Sequence, residues 1–414
     1  MGVIWRFYRD RSFILKMTVG FVLGIVVGLI FGPSAKVLSP LGELLLRLLN
    51  LIVIPLVVFT LIAAVDQLNP QKLGRIGGKV FVYYMFTTAI AIVFGIVIAL
   101  LVKPGTGLSL PDAKVDIPEH SSMLDTLLGI VPENLFSSLV SSDILGIIFV
   151  AVVVGLSISS MTHSGEERIR KMGNLLSELT VSLSELTFRI LNGILQYAPI
   201  GIFAIAASAI GSQGLQTLIS LGKLTGVIYI GIALQFIFVY FLMLKIFGVH
   251  IRQFLANTKE AIATAFMTSS SLGTLPVTMR SASRAGISNE VASFSLPLGA
   301  TVNMDGAAIR LGASVVFAAD IMGLNLGFSA ILGIIVTGTL ASVGTAGVPG
   351  AGLIALSIVL TQAGLPIQVV ALVAGVDAIL GMGATACNVT GDLVGAAIVD
   401  KSERRKLSAA SSEA

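Results

Sequence analysis

Residues 303–306 read Asn303-Met304-Asp305-Gly306 and residues 388–392 read Asn388-Val389-Thr390-Gly391-Asp392, and both strings interrupt apolar sequence. An ionised Asp in hydrocarbon is costly unless something pairs with it, so an Asp at membrane depth marks an ion or solute site. Here there are two, each beside an Asn.

The membrane setting follows from composition. Hydrophobic residues make up 55% of the 414 positions, charged residues 12%, and the mean hydropathy is +0.97. Between Asp320 and Asp377 there is no charged residue, a stretch longer than two spans of about 20 residues each. The chain therefore reads as an all-α polytopic membrane protein. Its formal charge of +4 is accounted for by basic flanks of the spans, so no nucleic acid partner is implied. The single Cys387 excludes an internal disulfide. Arg6, Arg9, Arg11 and Lys16 precede an apolar run without a small-residue cleavage pattern, so a retained first helix is expected.

Apolar runs of helical length lie near 13–32, 37–66, 77–102, 142–161, 174–213 and 219–247. Later segments, near 251–281, 286–320, 325–363 and 366–400, are interrupted by Gly, Ser, Thr and Pro. Such breaks are tolerated at membrane depth only against protein or a watery cavity. Lys72, Arg75 and Lys79, then Lys245, Arg252, Lys259, Arg280 and Arg284, then Lys401, Arg404, Arg405 and Lys406 belong on the cytoplasmic side. The 103–120 loop carries Asp112, Asp116 and Glu119 against Lys103 and Lys114 and reads as outside, which puts both termini in the cytoplasm of a cell-membrane protein.

The last third contains a repeat. A Ser-rich tip, Thr268-Ser269-Ser270-Ser271, precedes the span with Asn303 and Asp305, and a Gly-rich tip over 342–352 precedes the span with Asn388 and Asp392. Two re-entrant hairpins of opposite topology, meeting near the midplane, are a transporter signature. A hard cation such as sodium prefers oxygen ligands, which Asp305, Asp392, Asn303, Asn388, Thr301, Ser342 and Thr345 can supply. Unwinding at Gly299 or Gly306 is expected to free carbonyls. The alternative is that these groups only bond helices to one another.

The strings NMDG, TSSSLGTLPVTMR, SVGTAGVPGAG and NVTGD, in this order, resemble the glutamate transporter homologue family, the dicarboxylate and amino acid:cation symporters, over nearly the whole chain. The resemblance implies eight transmembrane helices plus two hairpins with inverted repeats. It also implies a homotrimer in the lipid bilayer and an elevator-type transporter. Residues 1–75 (spans 1–2) and 105–218 (spans 4–5) would form the scaffold. Residues 76–104 (span 3) and 219–400 (span 6, hairpin 1, span 7, hairpin 2, span 8) would form the transport domain, with a cytoplasmic tail at 401–414.

Carried over by position, one sodium site would use Gly299, Asn303 and Asn388 with Asp392. A second would use Tyr84, Thr87 and Thr88 with Asn303 and Asp305, and a third Thr301, Ser342, Val343 and Thr345. Solute would lie among Ser269, Ser270, Ser271, Met304, Ala307, Arg310, Gly347, Val348, Gly352, Gly381, Ala384, Thr385 and Asn388. Here the chain departs from its family. The family's Asp and Arg for an amino acid's ammonium and distal carboxylate are replaced by Gly381 and Ala384, and an alternative Arg by Ser269. Loss of a buried charge partner costs several kcal/mol, so aspartate is not the expected solute; a carboxylate or a neutral amino acid is.

Arg310, where similar proteins carry Tyr, offers a planar fork for a carboxylate, or an internal partner for Asp305 or Asp377. Asp377 reads as a supporting residue and Cys387 as small filler. A proton-coupled dicarboxylate symporter, an aspartate or glutamate symporter with unusual contacts, and a channel remain as alternatives. A membrane hydrolase is disfavoured. His120, His163 and His250 fall in loops or span edges, without a metalloprotease or serine-nucleophile motif.

Overall fold

The computed structural model describes residues 13–66, 76–108, 131–141, 144–343, 347 and 350–413. Arg6, Arg9, Arg11, Lys72, Arg75, most of the expected outer loop including His120, and the hairpin residues Thr345 and Val348 lie outside them. Among the described residues the chain is helical throughout, without a strand.

Helices α1 (Phe13–Phe31), α2 (Ser39–Asp66), α5 (Ile144–Thr162) and α6 (Glu167–Gln213) pack on one another; the short α4 (Leu135–Ser141) leads into α5. The close approach of α1 to α6 rests on glycines. A side chain at Gly20 would meet the Pro199 carbonyl oxygen at 2.5 Å. A second group gathers around α12 (Asp305–Ile321), which packs on α3 (Gly78–Val102), α7 (Gln216–Leu234), α13 (Phe328–Val343), α14 (Ala351–Gln362) and α16 (Asp377–Glu413). A π-helical turn, Gln235–Phe241, and α8 (Leu242–Ile246) continue α7.

Among the described residues five stretches are long and apolar enough to cross a membrane: 15–63, 78–102, 167–213, 216–246 and 377–405. The expected spans of the last third otherwise come in halves. Helix α9 (Ile251–Thr268) ends at Ser269, whose φ of 50° is left-handed, and α10 (Ser271–Arg284) starts behind the Ser270 side chain, which accepts from Gly273 N at 3.0 Å. That cap satisfies one of the helix-end donors of α10. Helix α11 (Asn289–Val302) and α12 are separated by Asn303 (φ −90°, ψ 84°) and Met304 (φ −111°, ψ 49°).

The break is therefore at Asn303-Met304, which corrects the expectation of unwinding at Gly299 or Gly306. Gly299 stays within α11 and its carbonyl accepts from Asn303 N at 2.9 Å, while Gly306 is already in the first turn of α12. The physical reason is the Asn388 side chain, which takes the Gly306 N–H at 2.7 Å, outside the helix ladder. The last span is also interrupted: α15 (Gln368–Ala374) stops at Gly375, and α16 restarts with Asp377 in its first turn, where the helix dipole favours a carboxylate.

Candidate functional site

The break in α11–α12 puts Asp305 in the first turn of α12, fully buried. Its Oδ1 accepts from Thr88 Oγ1 at 2.7 Å and Thr87 Oγ1 at 3.2 Å, both from α3. Its Oδ2 accepts from Gln235 Nε2 at 2.9 Å and Tyr240 Oη at 2.7 Å, both from the π turn. Thr87 Oγ1 also lies 3.3 Å from Asn303 Oδ1 and from the Tyr84 carbonyl. The second expected sodium set is thus brought together, with one refinement. The Tyr84 phenol turns away to the Ser295 carbonyl at 2.9 Å, so Tyr84 offers its backbone oxygen to this cluster.

The first set also converges. Asn303 Nδ2 donates to Asp392 Oδ1 at 2.9 Å and approaches the Asn388 carbonyl at 3.4 Å. A side chain at Gly299 would meet Asp392 Oδ1 at 2.4 Å and Tyr84 Oη at 2.7 Å, so only glycine lets α11 lie against that carboxylate. Thr301 and Ser342 of the third set bond back into their own helices, to Leu298 O at 3.0 Å and Thr339 O at 2.7 Å. No hydrogen bond joins these two among the described residues. Val343 closes α13.

The hairpin tips meet. Ser270 Oγ donates to Gly347 O at 2.8 Å, and Leu272 N to the same oxygen at 3.2 Å. Close by, Ser269 and Ser271 are buried, and their hydroxyls have no hydrogen-bond partner among the described residues. A side chain at Gly381 would lie 3.7 Å from Ser269 Oγ, which ties the first tip to α16. Ala384 packs its backbone on Gly306, and Thr385 and Ala307 are buried nearby in sequence. Asn388 Nδ2 reaches Met304 Sδ at 3.1 Å.

Arg310 is 4% exposed and pairs with Asp377, Nη2 to Oδ1 at 2.5 Å. Of the two internal partners weighed for it, the structure selects Asp377, because the four donors around Asp305 already fill that carboxylate. Asp377 supports Arg310, as expected of it. Gly352, in the first turn of α14, makes room for the guanidinium: a side chain there would meet Arg310 Nη1 at 2.7 Å.

Sequence reasoning passed over Gln235 and Tyr240. The signal was a lone Gln in an apolar span, and π turns recur at functional sites. Cys387, read as small filler, is fully buried, and its backbone carbonyl lies 3.1 Å from Tyr240 Oη. Among the described residues no group of three or more His, Cys, Asp or Glu could hold a metal. The donor set is instead hydroxyl, amide, carbonyl and two carboxylates, which fits a hard monovalent cation in transit.

Broken helices meeting at buried carboxylates, within apolar helices, define a membrane symporter. The chain belongs to the sodium:dicarboxylate symporter family, whose sequence pattern it matches over residues 13–402. It is 33% identical to a proton/sodium-glutamate symport protein of Geobacillus stearothermophilus, covering 97% of this chain and 95% of that one. A proton/sodium-glutamate symport protein of Bacillus subtilis is 35% identical, with 94% and 92% covered. Excitatory amino acid transporter 3 of mouse is 32% identical, with 98% and 88% covered. The family and these relatives are transporters, so the hydrolase alternative falls.

Proposed function

We propose that this protein is a sodium-coupled symporter of a small organic solute bearing a carboxylate, a simple carboxylate or a neutral amino acid rather than aspartate. It works in the plasma membrane, as a homotrimer with both termini in the cytoplasm. Eight spans and two hairpins divide into a scaffold (1–75, 105–218) and an elevator-like transport domain (76–104, 219–400). Asp305 and Asp392, with Thr87, Thr88, Asn303, Asn388 and the carbonyls of Tyr84 and Gly299, carry sodium. Thr301, Ser342, Val343 and Thr345 complete a third cation position as the second hairpin moves. Arg310, Ser269, Ser271 and Thr385 face the solute.

One observation carries the solute reading: Ser269 Oγ, Ser271 Oγ and Arg310 Nε are buried without a hydrogen-bond partner among the described residues. Such atoms cost free energy unless a ligand or water completes them. The aspartate argument rests on Gly381 and Ala384, which offer neither an acceptor for an ammonium nor a cation for a second carboxylate.

A thermal-unfolding screen of amino acids, dicarboxylates and monocarboxylates, each in sodium and in choline, tests this reading. A ligand bound only by the folded state stabilises by RT ln(1 + [L]/Kd), about 2.7 kcal/mol at one hundred times Kd. Sodium alone should raise the melting temperature and choline should not; identical curves would remove sodium. A large sodium-dependent shift with aspartate would overturn the solute argument. Proton coupling is the second reading, favoured by relatives whose names pair proton with sodium; solute accumulation driven by a pH gradient without sodium would select it.

A further inference from the structure

Beyond the end of α8 the protein opens a cleft of about 290 Å3 between the first turns of α9, the turn at 285–287 and α16. Its floor is apolar, with Phe254, Ile287 and Ala397 buried. Its rim is polar. Asp400 is the acidic group of the lining, and both its oxygens are engaged: Oδ1 accepts from Ser288 N at 3.1 Å and Oδ2 from Arg404 Nε at 2.8 Å. The same guanidinium is fixed to the wall, donating through Nη2 to Gly286 O at 2.6 Å.

Lys401, His250, Gln253 and Asn257 complete the rim, and their side chains make no hydrogen bond or ion pair among the described residues. With Arg404 balanced by Asp400, the Lys401 ammonium leaves the cleft positively charged. Helix α9 also starts here without a side-chain cap, so the positive end of its dipole adds to that charge.

The surface leading to the cleft is apolar. Phe238, Leu242 and Ile246, on successive turns, are exposed, and they close a stretch long enough to cross a membrane. Along such a stretch an exposed apolar face meets acyl chains.

We infer that the cleft binds the headgroup of an anionic phospholipid. The acyl chains lie along the face of Phe238, Leu242 and Ile246, and the phosphodiester takes the Lys401 ammonium. The amides of Gln253 and Asn257 take the hydroxyls of a glycerol-type headgroup. A phosphodiester brings one negative charge, which balances Lys401. A zwitterionic headgroup sets its own cation beside Lys401 and Arg404, and a free phosphate has the charge without the chains.

The full-length protein in a mild detergent tests this, through its melting temperature as phosphatidylglycerol, phosphatidylcholine or inorganic phosphate is added. Phosphatidylglycerol should stabilise it at concentrations on the order of tenfold lower than phosphatidylcholine, and phosphate at the same molarity should not. Lys401→Gln should weaken the response to phosphatidylglycerol about fivefold, the share of one basic residue near anionic headgroups. Gln253→Ala with Asn257→Ala should weaken it with no change of charge. Lys259→Gln removes a charge from α9 outside the cleft and should leave the response within about twofold. All these side chains are exposed or half-buried, and each variant is referred to its own melting temperature in phosphatidylcholine, so a general loss of stability does not count as lost binding.

Equal stabilisation by the two lipids would overturn the inference. So would a Lys259→Gln variant as impaired as Lys401→Gln, because the effect would then be diffuse surface charge. An unchanged response in both Lys401→Gln and the amide variant would overturn it as well. Stabilisation by inorganic phosphate that matches phosphatidylglycerol would replace the lipid by a free anion.

Discussion

The two halves of the pocket treat their buried polar atoms differently. Around Asp305 and Asp392 each carboxylate has protein donors: Thr87, Thr88, Gln235 and Tyr240 for the first, Asn303 for the second. Between the hairpin tips and Arg310, by contrast, Ser269 Oγ, Ser271 Oγ and Arg310 Nε have no hydrogen-bond partner among the described residues, while Arg310 and Asp377 pair with each other. A hydroxyl that donates to a carboxylate can rotate and present its lone pairs to a cation. In the proposed function, the ion half thus keeps its carboxylates compensated both with and without a cation. In the proposed function, the unpartnered groups of the solute half are completed by the solute. The ion half also has unpartnered atoms among the described residues, Gln235 Oε1 and Tyr83 Oη, but none on Asp305 or Asp392.

The comparison is broken most severely at Asp305. Asp305→Asn keeps the shape and removes the charge that attracts the cation. A lost partner for a buried ion costs about 3–5 kcal/mol, so sodium-driven uptake into proteoliposomes should fall by on the order of 100-fold or more. Stabilisation by sodium should disappear with it. Unaltered sodium stabilisation would show that the two halves are not divided as described.

Arg310→Ala acts on the other half. It leaves Asp377 buried and unpaired, a loss of about 3–5 kcal/mol in stability, readable as a lower melting temperature. Solute binding should fall steeply while sodium still stabilises the protein, since no hydrogen bond or ion pair joins Arg310 to Asp305 among the described residues. Replacing both members, Arg310→Leu with Asp377→Leu, should restore most of the stability and none of the solute binding. Unchanged affinity for small carboxylates and amino acids in Arg310→Ala would remove Arg310 from the site.

Tyr240→Phe sharpens the ion half without emptying it. The Tyr240 hydroxyl gives Asp305 a charge-assisted bond at 2.7 Å, a type worth about 1.5–3 kcal/mol. The variant should lose that much stability in choline and less in sodium, because the cation then takes over part of the compensation. Equal losses in both salts would mean that Tyr240 is a structural strut with no bearing on the cation.

How far the sequence reaches differs between the halves as well. Asp305, Asp392 and their Asn neighbours stand out because a charge in apolar sequence is rare, and the Ser-rich tip and the α11–α12 interruption were legible for the same reason. The position of the break was not. Glycines at 299 and 306 suggested it, but the break falls at Asn303-Met304 because a side chain 82 residues away captures the Gly306 N–H, a long-range contact that local propensity does not contain. Gln235 and Tyr240 were missed because a single polar residue in a span is usually a helix-to-helix bond. The choice between Asp305 and Asp377 for Arg310 likewise depended on which carboxylate other donors had filled, and spacing along the chain carries no such information.

The mildest change tests the geometry of the solute half alone. Gly352→Ala adds one methyl group and no charge, and its Cβ would stand 2.7 Å from Arg310 Nη1 and 3.1 Å from Cζ. The guanidinium is the far end of a flexible side chain, so it can give way, at an overpacking cost of about 1 kcal/mol. That displacement turns the fork away from the orientation that would meet a carboxylate. KM for the solute should rise by roughly tenfold or less, with kcat, sodium stabilisation and melting temperature in sodium nearly unchanged. An effect on the sodium response instead would mean that the guanidinium couples to the Asp305 cluster, and the separation between the two halves would have to be redrawn around α12.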